Sequence, residues 1–556
     1  MLRKLLIAVA ALGTVAAPAA GQVVAPTLLM PGVTVDRQVE FTPHGPVVLD
    51  VVTAPRPDGS LYALAPALSN GAIVATQKLT EMERDASASS TVVGVTGDFF
   101  AADPGKPTGI LMRTGTLESA PVNTRSSLGI GADGTLTVGR VSFDGTWRGT
   151  GQRRQIDLNA PPAKGHTTLY TTAWGPTTPS ESGVVVDVIQ ALPALTPNRI
   201  VAGAVTQVSD RGPVAIPPGG AVLVARGNQA PHLTAEAPAG TNVEIRPTLT
   251  PNWSSMASAI GGGPLLVAAG KPVFRARESF GDPVLNRRSA RAAVGQLADG
   301  RIVLVTVEGG GSAYSAGMTN YELAVALSRL GARTAMALAS GPAASMAFDG
   351  TLLTRPAATG EQPIADALFL SYSGVYAAPP SSDTLSPNGD GVDDSLTFTY
   401  KLVRRSQVTA SVTGPGATVP LAQDTEDAGI HTLQWDGVGA VEGNWRFVVS
   451  AVDDTGRSTT ADRSFALNET LGSLAVTRAG QGLTATFALA HPASVTVTVE
   501  KPNGIVLATL LSKKLDAGPQ SATWSGRAAS GYRVRVVATN TIGKATLVAP
   551  VTARRS

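Results

Sequence analysis

The most informative pattern of apolar and polar residues lies between residues 291 and 346. Arg301–Val307 is a short apolar run, rich in β-branched residues and bounded by Asp-Gly and Glu-Gly pairs, which predicts a buried strand. A second apolar run, Thr334–Leu338, leads into a loop of small residues from Ala339 to Ser345. Two strands that each end in a loop of small residues predict a pocket at the strand ends.

A helix is predicted between these two strands. Thr319 stands three residues before Glu322, the spacing of a capping box in which each side chain satisfies the other residue's free backbone N–H. Apolar residues then recur on one face, at Leu323, Leu327 and Leu330. Gly331 follows, where a glycine in the left-handed conformation can end a helix.

Elsewhere the pattern favours β-structure. Gln38 to Pro55 alternates as a strand does, and Val92–Val95 reads as a buried strand. Thr80–Ala88 predicts a short helix, with Thr80 and Glu83 at capping-box spacing. The section from Phe143 to about Asn252 is rich in strand patterns but contains no motif that we can assign.

The N-terminus has the pattern of a secretory signal peptide. Residues 1–21 carry Arg3 and Lys4, then an apolar run from Leu5 to about Val15, then small residues. An N-terminal membrane anchor is the alternative, although the run is short for a membrane span. No later stretch is apolar enough to cross a bilayer, so we expect a secreted protein with no membrane span once the signal is removed.

The composition of the chain excludes several classes of binding and catalysis. The 556 residues include 44 basic and 41 acidic residues and no cysteine, with a net charge of +3. The basic residues are scattered without interleaved aromatic residues, so we expect no nucleic-acid partner. The lack of cysteine excludes thiol catalysis and Cys-ligated zinc, and suits an exported bacterial protein that folds without disulfides.

The C-terminal part repeats itself. Asp-Ala-Gly at residues 427–429 precedes Trp435, and Asp-Ala-Gly at 516–518 precedes Trp524, each Trp six positions after the Gly. The repeat length and its alternating strands fit two tandem β-sandwiches. Because both Trp residues hold the same place in their repeats, core anchoring is favoured over sugar stacking.

An acidic loop opens the first repeat, after a Pro/Ser-rich linker at residues 377–382. Its oxygen-bearing side chains, separated by glycines, are those that Ca²⁺ prefers: Asn388, Asp390, Asp393 and Asp394. The alternative is a plain Asx turn, which such clusters commonly form. The loop resembles the start of the flagellar hook-capping immunoglobulin-like module of exported bacterial proteins.

Several residues of the first part are candidates for a site. Asp98 follows the predicted strand Val92–Val95, where it can act as an acid or cap a turn. Gly261, Gly262 and Gly263 expose successive N–H groups that suit phosphate or sugar oxygens, or they form a plain turn. A guanidinium can grip a phosphate with two parallel hydrogen bonds.

Ordered sequence blocks carry a resemblance to a known family. They are Thr96–Phe100 (TGDFF), Arg125–Ile130 (RSSLGI), Gly261–Leu266 (GGGPLL) and the 291–346 stretch with RAAVGQ and GMTNYELA. Together they resemble the phosphodiester glycosidase family over roughly residues 51 to 372. The resemblance implies hydrolysis of a sugar 1-phosphodiester in envelope or extracellular glycans.

The same resemblance implies roles for individual residues. Asp98 and Glu308 are the catalytic acid–base candidates, because an oxocarbenium-like transition state needs a carboxylate and the phosphate leaves readily. Arg125 and Arg291 are the candidates for binding phosphate. The remaining candidates for substrate contact are Gly261, Gly262, Gly263, Gly309, Thr319, Ser340 and Gly341.

This chain departs from the family pattern at the site. Gly310 stands where the family has Arg, Ala339 stands where it has Asp, and Ala343 and Ala344 stand where it has serines. Alanine cannot transfer a proton, and Pro342 removes a backbone donor. The alternative function is therefore a catalytically impaired homologue that binds glycans or serves as a cell-surface scaffold.

These observations predict a multidomain chain. A signal peptide at residues 1–21 precedes an α+β domain of catalytic type at 22–376, and the linker at 377–382 follows. Two all-β immunoglobulin-like sandwiches occupy 383–468 and 469–556. Apart from possible Ca²⁺ in the first sandwich no cofactor is predicted, and the expected partners are carbohydrate or sugar-phosphate substrates and envelope glycans.

Overall fold

The computed structural model describes residues 26–101, 105–161, 165–273, 277–311, 313–356 and 359–551. The predicted signal peptide at residues 1–21 lies outside these residues. The chain divides into two compact units. The first comprises the residues up to Asp85 and Val92–Ser371, and the second comprises Ala86–Thr91 and the residues from Tyr372 onward.

The structure is mostly β, with 53% strand and 7% helix. Among the described residues the α-helices are α1 (Leu79–Ser87), α2 (Ala230–Glu236), α3 (Asp282–Leu285) and α4 (Asn320–Arg329). The first unit is thus mainly a β-structure, and its predicted α+β class overstated the helical share. Among the described residues, no helix is long and apolar enough to span a bilayer.

The strands of the first unit are short and numerous. In chain order they are β1 (Thr27–Met30), β2 (Val33–Thr42), β3 (Gly45–Ala54), β4 (Tyr62–Leu68), β5 (Thr91–Thr96), β6 (Phe100–Ala101), β7 (Lys106–Pro107), β8 (Leu111–Arg113), β9 (Thr116–Ser119), β10 (Ser126–Gly131), β11 (Leu136–Arg140), β12 (Ser142–Arg148), β13 (Arg154–Leu158), β14 (Thr167–Thr171), β15 (Val184–Ile189), β16 (Val201–Ser209), β17 (Ala221–Arg226), β18 (Asn242–Thr250), β19 (Met256–Ile260), β20 (Leu265–Ala268), β21 (Lys271–Pro272), β22 (Arg291–Leu297), β23 (Ile302–Val307), β24 (Ala332–Ser340), β25 (Met346–Phe348), β26 (Thr351–Leu352) and β27 (Asp366–Tyr372).

These strands form three open sheets, a closed barrel and a small ribbon of β6 and β7. The largest sheet has eight strands in the order β1-β2-β3-β23-β22-β24-β20-β21. Two five-stranded sheets have the orders β11-β10-β19-β8-β9 and β26-β25-β5-β27-β4. The section that carried no assignable motif forms the barrel, in the order β12-β13-β14-β17-β15-β16-β18.

Helix α4 packs on the eight-stranded sheet through the apolar face that its sequence predicted. Leu323 and Leu327 are fully buried in one core with residues of β3, β22 and β23, and Leu330 packs against that core. The capping box of Thr319 and Glu322 is present in both directions. Gly331 has a φ of 90°, the left-handed conformation predicted for the helix end.

Helix α1 forms where it was predicted, but its predicted capping box is wrong. Glu83 is fully buried, and its Oε2 accepts a 2.9 Å hydrogen bond from the Gly350 backbone N–H. The backbone N–H and the hydroxyl of Thr80 both donate to Glu361. Burial raises the pKa of Glu83 to about 9, against the lowering effect of backbone N–H donors.

The described residues of the second unit form four sheets. Its strands are β28 (Tyr376–Ala377), β29 (Thr384–Leu385), β30 (Leu396–Leu402), β31 (Ser406–Gly414), β32 (Ala417–Glu426), β33 (Gly429–Trp435), β34 (Gly443–Asp453), β35 (Ser458–Leu467), β36 (Leu471–Ala479), β37 (Gly482–Leu489), β38 (Ala493–Glu500), β39 (Val506–Leu515), β40 (Gly518–Trp524), β41 (Arg533–Thr539) and β42 (Lys544–Pro550). The sheets are β28-β30-β33, β29-β35-β34-β31-β32, β36-β37-β40 and β39-β38-β41-β42.

The repeated sequence motif corresponds to a repeated strand. Both β33 and β40 begin at the Gly of Asp-Ala-Gly and end at the Trp, and each pairs with an earlier strand of its repeat. Trp435 is 8% exposed within one hydrophobic core, and Trp524 packs, partly buried, against another. Two separate cores therefore serve the two repeats, and their classification as immunoglobulin-like remains a prediction.

Candidate functional site

The sequence blocks that carry the resemblance come together at one end of the first unit's sheets. The Ala339 N–H donates to the Gly97 carbonyl at 2.8 Å, and the Gly263 N–H donates to the Ala337 carbonyl at 2.8 Å. The Thr96 hydroxyl donates to the Ala343 carbonyl at 2.5 Å. These bonds join the end of β5, the triple-glycine turn and the loop after β24.

Asp98 lies at the centre of this junction and is 1% exposed. Its Oδ1 accepts the Phe99 N–H at 2.7 Å, and its Oδ2 accepts the Gly109 N–H at 2.6 Å. Burial raises the pKa of Asp98 to about 6, against the lowering effect of these N–H donors and of Arg125. Both carboxylate oxygens are engaged with backbone, so Asp98 holds the junction together.

Asp366 is a second buried carboxyl beside it, and no local pattern marks this residue as a candidate. Its Oδ1 accepts the Asp98 backbone N–H at 2.7 Å, while its Oδ2 is buried without a hydrogen-bond partner. Burial, and then the neighbouring Asp98, raise the pKa of Asp366 well above its usual range. Two like charges so close together in a buried site disfavour the ionisation of both carboxyls.

The triple-glycine turn is shaped by Asp98. A Cβ at Gly261 would lie 2.2 Å from Asp98 Oδ2, and one at Gly263 would lie 2.6 Å from Glu278 Oε2. The Glu278 carboxylate accepts the Leu265 N–H at 2.8 Å. The glycines therefore allow close packing of side chains, and their predicted phosphate contact remains a prediction.

Arg125 lies over two neighbouring aromatic rings near Asp98. Its guanidinium carbon is 4.5 Å from the Phe280 ring centre and 5.8 Å from that of Phe99. Lys106 is also close to Asp98, and burial lowers its pKa while that carboxyl opposes the shift. Two cations therefore accompany the buried carboxyl pair.

Arg291 does not occupy the position predicted for it. It is 1% exposed, and its guanidinium donates to three backbone carbonyls, those of Met318, Val284 and Arg287, at 2.9, 2.7 and 2.5 Å. Burial lowers its pKa to about 10. The side chain fixes the segments around α3 and the start of α4, which corrects its assignment as a phosphate ligand.

Glu308 borders a cavity of about 280 Å³ at the end of β23. The cavity is lined by Arg288, Ser289, Ala290, Glu308, Gly309, Gly310, Gly341, Pro342, Ala344, Thr354 and Arg355. The structure thus brings the predicted Glu308, Gly309 and Gly341 together. Asp98 is outside this lining, so the two predicted acid–base residues do not face one space.

Glu308 is held firmly on one side. Its Oε1 accepts Arg37 Nη2 at 2.8 Å and the Arg355 N–H at 2.9 Å, whereas its Oε2 is buried without a hydrogen-bond partner. The same Arg37 donates through Nε to Asp50 Oδ1 at 2.7 Å. Burial raises the pKa of Asp50 to about 6, with Arg37 opposing the shift and Glu308 reinforcing it.

Two arginines that the sequence analysis missed line the cavity. Arg288 donates to the Gly317 carbonyl at 2.9 Å and pairs with Glu322, so its charge is largely compensated. Arg355 is exposed, and its guanidinium carbon lies 4.5 Å from the Tyr314 ring centre. Burial and the Glu308 carboxylate raise the pKa of the Tyr314 phenol.

The other predicted contact residues have mainly structural partners. Thr319 caps α4, and Ser340 ends β24 opposite Arg291 in the sheet register. The Gly341 N–H donates to the Ala290 carbonyl at 2.9 Å. Gly309 packs so closely that a Cβ there would lie 2.5 Å from the Ala290 nitrogen.

The acidic loop of the second unit is closed by its own backbone. Asp394 Oδ1 accepts the N–H groups of Asn388 and Gly389, and its Oδ2 accepts that of Gly391. Asp390 accepts the Val392 N–H at 2.8 Å, as in an Asx turn. Asp393 has a φ of 56°.

The described residues contain no group of three or more His, Cys, Asp or Glu side chains arranged for a metal ion. The expected Ca²⁺ ligands Asn388, Asp390, Asp393 and Asp394 therefore gain no support. The physical reason is that the carboxylate oxygens of Asp390 and Asp394 already accept backbone N–H groups.

Comparison with known proteins gives a family for part of the first unit. Residues 198–371 match the phosphodiester glycosidase family, which is under half of the chain. The matched range includes the triple-glycine turn, Glu308 and the loop after β24, whereas Asp98 and Asp50 precede it. A comparison with curated proteins finds no match.

Solved structures with a similar fold include a hypothetical protein from Synechocystis, 26% identical, with a TM-score of 0.52 over 62% of this chain and 62% of that chain. The match thus spans less than two thirds of that protein. A Burkholderia pseudomallei protein is 21% identical, with a TM-score of 0.48 over 59% of this chain and 74% of its own.

The zebrafish N-acetylglucosamine-1-phosphodiester alpha-N-acetylglucosaminidase catalytic domain, auto-inhibited by its pro-peptide, is also similar. It is 11% identical, with a TM-score of 0.33 over 64% of this chain and 88% of that chain. The flagellar hook-capping resemblance of the second unit remains a prediction.

Proposed function

We propose that the first unit is a hydrolase that cleaves a sugar 1-phosphodiester at the cavity beside Glu308. The observation that carries the proposal is a buried carboxylate bordering a glycine-lined cavity with an exposed cation, Arg355, at its edge. The match of residues 198–371 to the phosphodiester glycosidase family supports the same reaction class.

The reaction needs little from the protein. Water attacks the anomeric carbon, the bond from that carbon to the phosphate oxygen breaks, and the phosphate leaves with the bonding electrons. Glu308 accepts the proton of the attacking water. Arg355 takes the place of the arginine that the family has at the position of Gly310. Its guanidinium balances the charge on the phosphate.

We also propose that this hydrolase is secreted and acts on envelope or extracellular glycans. The motivation is the signal-peptide pattern of residues 1–21 together with the absence of cysteine. Fractionation of the native host cells, followed by immunoblotting, tests it. Protein retained in the cytoplasm with residues 1–21 uncleaved would contradict the proposal.

The activity test uses the chain from Gln22 onward with para-nitrophenyl and UDP-type sugar phosphodiesters. We expect release of product, and a loss on the order of 100-fold in kcat for Glu308→Gln, because the base is removed while the cavity is kept. Glu40→Gln is the matched control, since Glu40 pairs with Arg329 at the protein surface and not at the cavity. Equal rates for Glu308→Gln and wild type would overturn the role of Glu308.

Binding without turnover is the second candidate function. It is favoured by Ala339, Ala343 and Ala344, which stand where the family has proton-transferring or hydrogen-bonding side chains. Calorimetric titration with the same substrates distinguishes the two. Saturable binding with no product would favour a glycan-binding protein, whereas product release establishes the hydrolase and shows that Ala339 is tolerated.

A further inference from the structure

Three neighbouring strands bring two carboxyls to one guanidinium. Arg37 on β2 faces Asp50 on β3 in the strand register, and Asp50 faces Thr306 on β23. The N–H of Glu308 continues that ladder by donating to the Val48 carbonyl at 2.9 Å. Asp50 and Glu308 therefore project from the same face of adjacent strands, as diagonal neighbours.

The hydrogen bonds leave one oxygen of each carboxyl without a donor. Arg37 bonds to Asp50 Oδ1 and Glu308 Oε1, while Asp50 Oδ2 and Glu308 Oε2 are both buried and unpartnered. The side chains of Asp50 and Glu308 are 2% and 1% exposed. Two ionised carboxylates here would lie side by side, largely shielded from solvent, with the Arg37 guanidinium bonded to both.

We propose that Asp50 and Glu308 share a single proton, which makes Asp50 a positioning residue that sets the charge of Glu308 beside the cavity. The shared proton itself does not depend on the proposed hydrolase function. Only its effect on catalysis rests on that function. A proton held between the two unpartnered oxygens satisfies both of them and leaves one negative charge to pair with Arg37. During hydrolysis the pair takes up the proton of the attacking water as its second proton and releases it to solvent once the phosphate has left.

The groups around the pair are few. Arg37 faces it from β2, and Tyr314 faces it from the loop after β23, where its phenol interacts with Glu308. Arg355 contributes its backbone N–H, with its guanidinium over the Tyr314 ring. Burial raises the pKa of Asp50 to about 6, in the direction that proton sharing requires.

The first test does not depend on activity. The protein is labelled with ¹³C-carboxyl aspartate, and infrared spectra are recorded across pH. The signal of Asp50 is the difference between the spectra of the wild type and of Asp50→Asn. We expect Glu308→Gln to lower the Asp50 midpoint by about one pH unit or more, because the competing negative charge is gone and Arg37 remains. Arg37→Gln should raise it.

Shifts of the Asp50 midpoint in opposite directions in Glu308→Gln and Arg37→Gln distinguish proton sharing from a merely structural role. Asp187→Asn is the control, because Asp187 is a buried carboxyl of the barrel strand β15 with no hydrogen-bond partner. It should leave the Asp50 midpoint unchanged. An Asp50 midpoint that does not move in either Glu308→Gln or Arg37→Gln, with thermal unfolding like wild type, would overturn the shared proton.

The second test follows hydrolysis. In Asp50→Asn, Glu308 can no longer pass its proton to Asp50, so the pH dependence of kcat/KM should shift while KM changes little. A pH profile identical to wild type would contradict the positioning role. If no hydrolysis occurs at all, the infrared midpoints still decide the shared proton, so the two proposals fail separately.

Discussion

At the scale of single residues, the glycines around Asp98 matter because they leave space for its carboxylate. A Cβ at Gly261 would also lie 2.8 Å from the Gly109 Cα, so two backbones and one carboxylate compete for the same volume. The nearest atoms are backbone or a buried, hydrogen-bonded carboxylate, and neither can move freely. The turn therefore tolerates no side chain at this position.

Gly261→Ala should destabilise the first unit by about 1–3 kcal/mol, the cost of overpacking a close-packed site. Gly139→Ala is the matched control, because a Cβ at Gly139 meets nothing within 4 Å. Urea unfolding followed by fluorescence measures both variants. Equal midpoints for the two variants would show that the junction at Asp98 can accommodate an added methyl group.

Single-residue roles were predictable only where the partner is close in sequence. Glu308 could be placed at a strand end because the strand pattern precedes it directly. Arg37 and Asp50 could not be connected to Glu308, since more than 250 residues separate Glu308 from each of them. Arg291 was misassigned because nothing in the sequence indicates that three carbonyls from later or earlier turns enclose its guanidinium.

At the scale of elements, α4 depends on its first turn. Thr319 accepts the Glu322 N–H at 3.3 Å and donates its own N–H to that carboxylate at 2.9 Å. Arg288, which lines the cavity, pairs with the same Glu322. The cap thus connects the stability of the helix to the wall of the proposed site.

Thr319→Ala should cost about 1 kcal/mol, because it leaves a helix N–H without its acceptor. Thr319→Ser retains the hydroxyl and should remain close to wild type. Chemical denaturation provides the free energy of unfolding for both, and substrate titration shows whether the cavity is affected. A loss as large in Thr319→Ser would indicate that the methyl group, and not the cap, carries the effect.

Local patterns predicted helices and strands, but they did not predict the tertiary hydrogen-bond partners of the residues in them. The box at Thr319 was predicted correctly because its apolar stripe begins directly after it. The identical spacing at Thr80 failed because tertiary contacts intervene: Glu361 takes the donors of Thr80, and Gly350 takes the carboxylate of Glu83. Spacing alone cannot distinguish these two outcomes.

At the scale of the whole molecule, the high strand content was predictable, whereas the closure of seven strands into a barrel was not. The alternating segments from Phe143 to Asn252 indicated strands, yet the barrel closes through the pairing of β12 with β18, about a hundred residues apart. Within it, Asp187 lies on the same strand face as Val185 and Ile189, which pack into the barrel core. No local pattern signals that an acidic residue belongs in that core.

Buried carboxyls of this kind predict an unusual pH dependence of stability. Burial raises the pKa of Asp187 from 3.8 to about 7, and that of Glu83 from 4.5 to about 9. Between the unfolded and folded values the folded chain binds more protons, so the free energy of unfolding falls as pH rises. Exposed carboxyls such as Asp299, whose pKa is lowered, affect the free energy of unfolding only at pH values below this interval.

We therefore expect the first unit to unfold at a temperature several degrees lower at pH 8 than at pH 5. Asp187→Asn resembles the protonated acid and loses no hydrogen bond, since both oxygens are unpartnered. It should match wild type at pH 5, exceed it at pH 8, and flatten the slope. Asp299→Asn, an exposed control in the same unit, should leave the slope unchanged. Scanning calorimetry measures all three, and a wild-type Tm that rises steadily from pH 5 to 8 would show that these carboxyls ionise in the folded protein without cost.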